Sequence, residues 1–83
     1  MKLPRDLSGK ALADILCRSW SDDLVHQSGS HMILETTQPG HQRIAIPNHK
    51  ALRVGTLNGI LRVVAQYKSA SREDILGQYI RLM

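Results

Sequence analysis

The apolar positions along the chain change period twice, and each change marks a different element. Leu12, Ile15, Leu16 and Trp20 recur at helical spacing, which lays a single buried stripe along a first helix. Ser8 precedes that stripe and suits the N-cap, since its hydroxyl can accept a bond from an unpaired amide of the first turn. The helical pattern stops at Ser21-Asp22-Asp23, which read as loop residues that end the helix. Beyond them the pattern predicts a short strand over 24–28, a turn at Gly29 and a second strand over 30–37. Gly29 suits such a turn by permitting positive φ. Gln38-Pro39-Gly40-His41 is a strong turn signal, and a third strand follows over 42–47. Two such turns imply an antiparallel meander.

A polar connection over 48–54 leads into a second helix starting near Gly55 or Thr56. Leu57, Ile60, Leu61 and Val64 follow the i, i+3, i+4, i+7 pattern of an amphipathic helix. Ser71, with Asp74 three residues on, makes a capping arrangement for a third helix that turns Ile75, Leu76, Tyr79 and Ile80 inward. The predicted order is therefore α-β-β-β-α with an additional C-terminal helix. Helices sharing one face of a three-stranded antiparallel sheet form a two-layer α+β domain. Residues 1–83 read as one such domain, without internal repeat, linker or low-complexity tract.

Composition narrows this further. A chain of 83 residues buries only about 60–65% of its unfolded surface, and no separate regulatory domain is expected within it. Trp20, Tyr67 and Tyr79 are the only aromatics, and the core must be built of Leu, Ile, Val and Ala. No apolar run approaches the roughly 18 residues of a membrane span, and the N-terminus lacks the apolar stretch of a signal peptide. The single cysteine, Cys17, cannot form an internal disulfide and sits among apolar helix positions. Packing in a reducing cytoplasm is its expected role.

The net charge of +4 matters less than its distribution. Every carboxylate lies at Asp6, Asp14, Asp22, Asp23, Glu35, Glu73 or Asp74, whereas Arg43, Lys50, Arg53, Arg62, Lys68 and Arg72 crowd the stretch from Thr36 to Arg72. His41 and His49 fall there too. Such a stretch predicts a positive potential of the kind that binds phosphate; a solvated surface that happens to lack acids is the plainer alternative.

Strand alternation places His31, Ile33 and Glu35 on one face of the second strand and Met32 and Leu34 on the other. If Met32 and Leu34 pack on the helices, His31 faces outward, where an imidazole can carry protons for a substrate. Ser30 can bond a phosphate oxygen or steady the turn. The start of the second helix at Gly55-Thr56-Leu57 can leave amides free, an arrangement that attracts phosphate, though ordinary helix initiation accounts for it equally. The four histidines and the cysteine show neither Cys-x-x-Cys nor His-x-x-x-His spacing, so no metal site and no cofactor is expected.

The Gly29-Ser30-His31 motif, followed by Pro47-Asn48-His49 and then by Leu52-Arg53-Val54-Gly55-Thr56-Leu57, resembles the HicA family of small bacterial toxins. The resemblance runs from Leu3-Pro4-Arg5-Asp6-Leu7-Ser8-Gly9-Lys10 through Ile60-Leu61-Arg62. It implies the double-stranded-RNA-binding fold, and the activity of an mRNA-cleaving ribonuclease with His31 as its catalytic residue. It also implies a type II toxin–antitoxin pair in which a HicB-type antitoxin holds the toxin inactive. In such chemistry the ribose 2′-hydroxyl is the nucleophile, so His31 need only act as general base, general acid or both. Arg43, one strand away with its side chain opposite to Ile44, is the leading candidate for the scissile phosphate. Lys50 and Arg53 come next, and His26 and His49 are possible second histidines that also read as surface residues.

The chain departs from the family pattern twice. Ser21-Asp22 stands where members usually carry Gly-Phe, leaving Trp20 to supply the aromatic packing, and His26 stands where an arginine is frequent. Two other classes of function compete: a non-catalytic RNA-binding module using the same basic face, and a small protein-interaction domain. The presence of His31 together with the basic residues favours the enzyme.

Overall fold

The computed structural model describes residues 3, 4 and 6–82, with side chains through residue 77. Helix α1 (Gly9–Ser19) is followed by strands β1 (Asp23–Gln27), β2 (His31–Thr36) and β3 (Gln42–Pro47), then by helices α2 (Val54–Lys68) and α3 (Arg72–Leu82). The strands form one antiparallel sheet in the order β1-β2-β3. The expected α+β order is observed, terminal helix included, and the element ends shift by only a residue or two.

The helix starts follow the local chemistry. The Ala11 amide donates to Ser8 Oγ at 3.0 Å, which fixes the first turn of α1. At α3 the bonds are reciprocal: the Asp74 amide donates to Ser71 Oγ and the Ser71 amide to Asp74 Oδ2, each at 3.0 Å. Those bonds favour the charged carboxylate and hold Asp74 below its usual range.

Met32, Leu34 and Ile46 project from one face of the sheet into a core completed by Leu12, Leu16, Leu57, Leu61, Ile75 and Leu76 of the three helices. Each fully buried aliphatic side chain of this size contributes about 1.5–3 kcal/mol, so the layer is held by leucine and isoleucine rather than by aromatics. Trp20 sits at the margin, where its indole Nε1 donates to the Ile75 carbonyl at 3.2 Å and ties the end of α1 to α3. The side chains of Tyr79 and Ile80, expected to turn inward, lie outside the described residues. Cys17 packs against the core, and burial pushes its thiol pKa up, which suits a packing role rather than a reactive one.

Two contacts clamp the ends of the sheet. At one end, a Cβ added to Gly9 would sit 1.9 Å from the Pro47 carbonyl oxygen, so α1 meets β3 at a distance only glycine allows. The Gly9 amide donates to the His49 carbonyl at 2.9 Å and the Leu52 amide to the Leu7 carbonyl at 2.8 Å, which folds the connection after β3 around the start of α1. At the other end lies an ion pair that the sequence reading missed. Asp22, expected to be a loop residue, is buried, and its Oδ1 lies 3.4 Å from Nζ of Lys68, whose side chain is only 6% exposed. Lys68 Nζ also donates to Thr36 Oγ1 at 3.1 Å and to the Gln38 carbonyl at 2.6 Å, while Thr36 Oγ1 donates to the Ser21 carbonyl at 2.9 Å. Burial raises the Asp22 carboxyl above its ordinary range, and Lys68 only partly offsets this.

Replacing Gly9 by Ala forces the Pro47 carbonyl to move and is expected to cost about 2–3 kcal/mol, measurable by urea denaturation. That is a large share of the roughly 4–12 kcal/mol available to a domain of this length.

Lys68→Met leaves Asp22 buried without its cation and is expected to cost about 3–5 kcal/mol at neutral pH. Because burial favours the protonated carboxyl, the folded state gains stability from Asp22 as pH falls through its raised pKa and loses it as pH rises. The stability gap between Lys68→Met and the unaltered chain should therefore narrow on acidification. A gap that stayed constant from pH 7 to the carboxylate range would show that the buried charge is not its source.

Candidate nucleic-acid interface

The outward face of the sheet is set by the inward one. Met32, Leu34 and Thr36 are buried, so His31, Ile33 and Glu35 stand on the opposite side of β2, with His31 exposed. Across β3 the register pairs His31 with Pro47, Ile33 with Ala45 and Glu35 with Arg43. Across β1 it pairs Ile33 with His26, after a shift between Leu24 and His26 that marks a bulge.

His31 is the first residue of β2 and is fixed from three sides. The Ser28 amide donates to the His31 carbonyl at 2.9 Å, and the His31 amide donates to Ser28 Oγ at 3.1 Å. The Asn48 amide donates to the Ser30 carbonyl at 2.9 Å, which draws the connection after β3 alongside. The Ser30 hydroxyl lies 3.0 Å from His31 Nδ1. A donated bond at that nitrogen leaves Nε2 as the proton-bearing atom and turns it toward solvent; an accepted bond leaves Nε2 as the base. Ser30 thus orients the imidazole, and the turn is steadied by Ser28. Gly29 does not supply positive φ, because no described glycine has it, and a Cβ there would meet nothing within 4 Å. With Ser28 Oγ closing the loop by accepting from the His31 amide, the hairpin needs no left-handed residue.

The basic residues divide by distance from His31. Arg43 shares the outward face but sits opposite Glu35, four residues along β2 and hence about 13 Å from His31. Glu35 itself is engaged by His41, whose Nε2 lies 2.9 Å from its Oε2. Lys50 is exposed on the connection that leaves β3 beside His31, and Arg53 is the exposed N-cap of α2. The helix start has no side-chain cap bond, so its first amides are left open; Thr56 is exposed in that turn. Lys68 does not belong to the basic surface, because its ammonium is buried against Asp22. His26 is brought close instead: it faces outward diagonally across the hairpin from His31, about 7–8 Å away by sheet geometry. Its mixed surroundings in the sequence hid this, since the bulge at Val25 alters which residues of β1 share a face.

Among the described residues no group of three or more His, Cys, Asp and Glu side chains could hold a metal ion, and no helix is long and apolar enough to cross a membrane. The outward surface therefore offers an oriented imidazole, a second imidazole diagonal to it, and cations at two distances. That set can shuttle protons beside a bound phosphodiester.

Comparison with protein families matches residues 23–65, the span from β1 to late α2, to a family described as HicA toxin of bacterial toxin-antitoxin. Comparisons with curated proteins and with solved structures gave no match.

Proposed function

The chain belongs to the HicA toxin family of bacterial toxin–antitoxin systems, which brings with it a cognate antitoxin, and from that premise we propose that it is a metal-independent endoribonuclease that cleaves mRNA. The observation that carries the reading is the outward, hydrogen-bonded His31 at the start of β2. RNA contains its own nucleophile, so cleavage requires a base to take the 2′-hydroxyl proton and an acid to protonate the departing 5′-oxygen. The 2′-oxygen bonds to phosphorus as the 5′-oxygen leaves, giving a cyclic phosphate end. His31 fills one of these roles or both in turn, and His26, diagonal to it, is placed to share them. Ser30 orients the ring. Lys50 is the nearest cation along the chain from the position opposite His31 and is the best placed to hold the scissile phosphate. Arg43, Arg53 and the open amides at Thr56 then bind flanking phosphates. A HicB-type antitoxin keeps the enzyme inactive, and the cytoplasm, where mRNA is found, is its place of action.

His31→Ala should slow cleavage about 10²–10⁴-fold, the contribution of a positioned acid–base group, with stability changed by less than about 0.5 kcal/mol because the side chain is exposed. Turnover should persist in excess EDTA, and RNA with 2′-deoxyribose at the cut site should resist. Unimpaired cleavage by a folded His31→Ala protein would sink the mechanism. RNA binding without any cleavage by the unaltered chain would favour a non-catalytic RNA-binding module.

The register changes what Arg43 is expected to do. At about 13 Å from His31, Arg43→Glu should weaken RNA binding and flatten its salt dependence, while single-turnover cleavage at saturating RNA stays near the unaltered rate. Arg72→Glu alters net charge equally and serves as the control. A slowed chemical step in Arg43→Glu alone would return Arg43 to the scissile phosphate.

A further inference from the structure

A second surface lies at the edge of the sheet, away from His31. Strand β3 is an edge strand, and its pairing to β2 runs without a shift from Pro47 to Gln42. The other edge, β1, is bulged, a feature that blunts an edge against further pairing. Along the open side of β3 runs a groove of about 370 Å³, walled by Ile44 on the strand and by Gly59, Ile60 and Val63 on α2, with Thr56 at the end that adjoins the helix start assigned above to phosphate. A second hollow, bounded by Gln42, Gln66 and Tyr67, shares Val63 with it. Val63 is 52% exposed, and a Cβ at Gly59 would meet nothing within 4 Å.

An unpaired strand edge beside an apolar trough lined by a helix is the geometry that accepts an extended peptide. Backbone bonds to the edge supply affinity, and alternate side chains enter the trough. The walls contain no cation, which disfavours nucleic acid. Arg43 on β3 is exposed at the rim, Arg62 is exposed on the flank of α2 that faces a separate hollow toward α3, and no carboxylate lies between Thr36 and Arg72. A second copy of this chain, itself of net charge +4, would bring like charges together there. A segment with apolar residues alternating with carboxylates matches both the trough and its rim.

We infer that β3 and the groove beside α2 receive an extended, acidic and apolar-alternating segment of the cognate antitoxin, which adds to the sheet as a fourth strand. The inference rests on the family membership that implies an antitoxin, not on the ribonuclease reading, so a chain without cleavage activity would leave it standing.

The test uses the full chain with the product of the antitoxin reading frame adjoining its gene. Amides of β3 that point to the open edge, every second residue between Gln42 and Ile46, should exchange hydrogen at least about tenfold more slowly in the complex than in the free chain. Gly59→Leu fills the trough with a better helix former, and Val63→Glu sets a carboxylate at its rim. Each should weaken antitoxin binding by about 30-fold or more, the loss expected at a central contact, and leave single-turnover cleavage at saturating RNA unchanged. Two variants guard against one failing to fold, and exchange is read on the unaltered chain. Undiminished affinity in both variants together with unprotected β3 amides would overturn the inference. So would protection of those amides in the chain alone at high concentration, which would make the occupant a second copy, or on adding RNA, which would make it the substrate.

Discussion

The approach of Gly9 to the Pro47 carbonyl is the constraint on which the rest of the arrangement depends. A side chain of any size at Gly9 would occupy the space of that oxygen, so the first turn of α1 and the last residue of β3 are locked at a single separation. The same contact sets the course of the following segment. With Gly9 bonded to the His49 carbonyl and Leu52 to the Leu7 carbonyl, the chain after β3 must cross the start of α1 before α2 can begin. Pro47 lies opposite His31, and Asn48 bonds the Ser30 carbonyl. The packing contact on one face of the sheet therefore determines what surrounds the imidazole on the other. The proposed catalysis by one oriented histidine would need such a rigid floor, because a misplacement of about 1 Å can cost about a hundredfold in rate.

The far end of the sheet is held differently. Asp22 stands where the resemblance described above implies phenylalanine, and a buried carboxylate cannot replace a ring without a partner. Lys68 supplies the charge from the end of α2, and Thr36 and the Gln38 carbonyl satisfy its remaining donors. Ser21, where a glycine is expected, takes the left-handed conformation with φ of 61°, a strain of about 1–2 kcal/mol for a residue with a side chain. Neither substitution obviously adds stability, since a buried ion pair roughly offsets its own desolvation. Their consequence is positional: Lys68 leaves the surface, while Arg43, Lys50 and Arg53 stay exposed at the outward face and before α2.

Local chemistry was legible in the sequence; close approaches across the fold were not. The Ser8 cap, the Ser71–Asp74 pair and the third strand at 42–47 depend on neighbours a few residues away, and each was placed from them. The outward position of His31 followed from period-two alternation alone, once Met32 and Leu34 were assigned to the core. Nothing next to Gly9 in the sequence marks its role, because the oxygen that excludes a Cβ belongs to Pro47, far along the chain. Asp22 and Lys68 are likewise distant in sequence, and each alone reads as a solvated charge. The bulge at Val25 turns His26 to the face of His31, yet a bulge leaves no mark in the alternation of so short a strand. Arg43 was assigned to the correct face; its distance from His31 required the register, which alternation does not fix along the strand.

The geometry also constrains how a protein partner at the edge could affect chemistry at the face. An added strand would lie about 4.8 Å beyond β3 and send every second side chain to the outward side. There its carboxylates would stand beside Arg43, while His31, on the middle strand, would remain roughly 10 Å away. On the proposed function, neutralising Arg43 would remove a phosphate contact, and added carboxylates would make that side of the RNA path repulsive. The imidazole itself would keep its hydrogen bond to Ser30 and its exposure. Inhibition by this route would then weaken substrate binding rather than disable His31, so enough RNA would overcome it unless another part of the partner reached across β3 to cover His31. A compact partner with both an edge strand and an overhanging element would act on the two steps together, and the separation of the two surfaces on this small sheet makes each contribution measurable by itself.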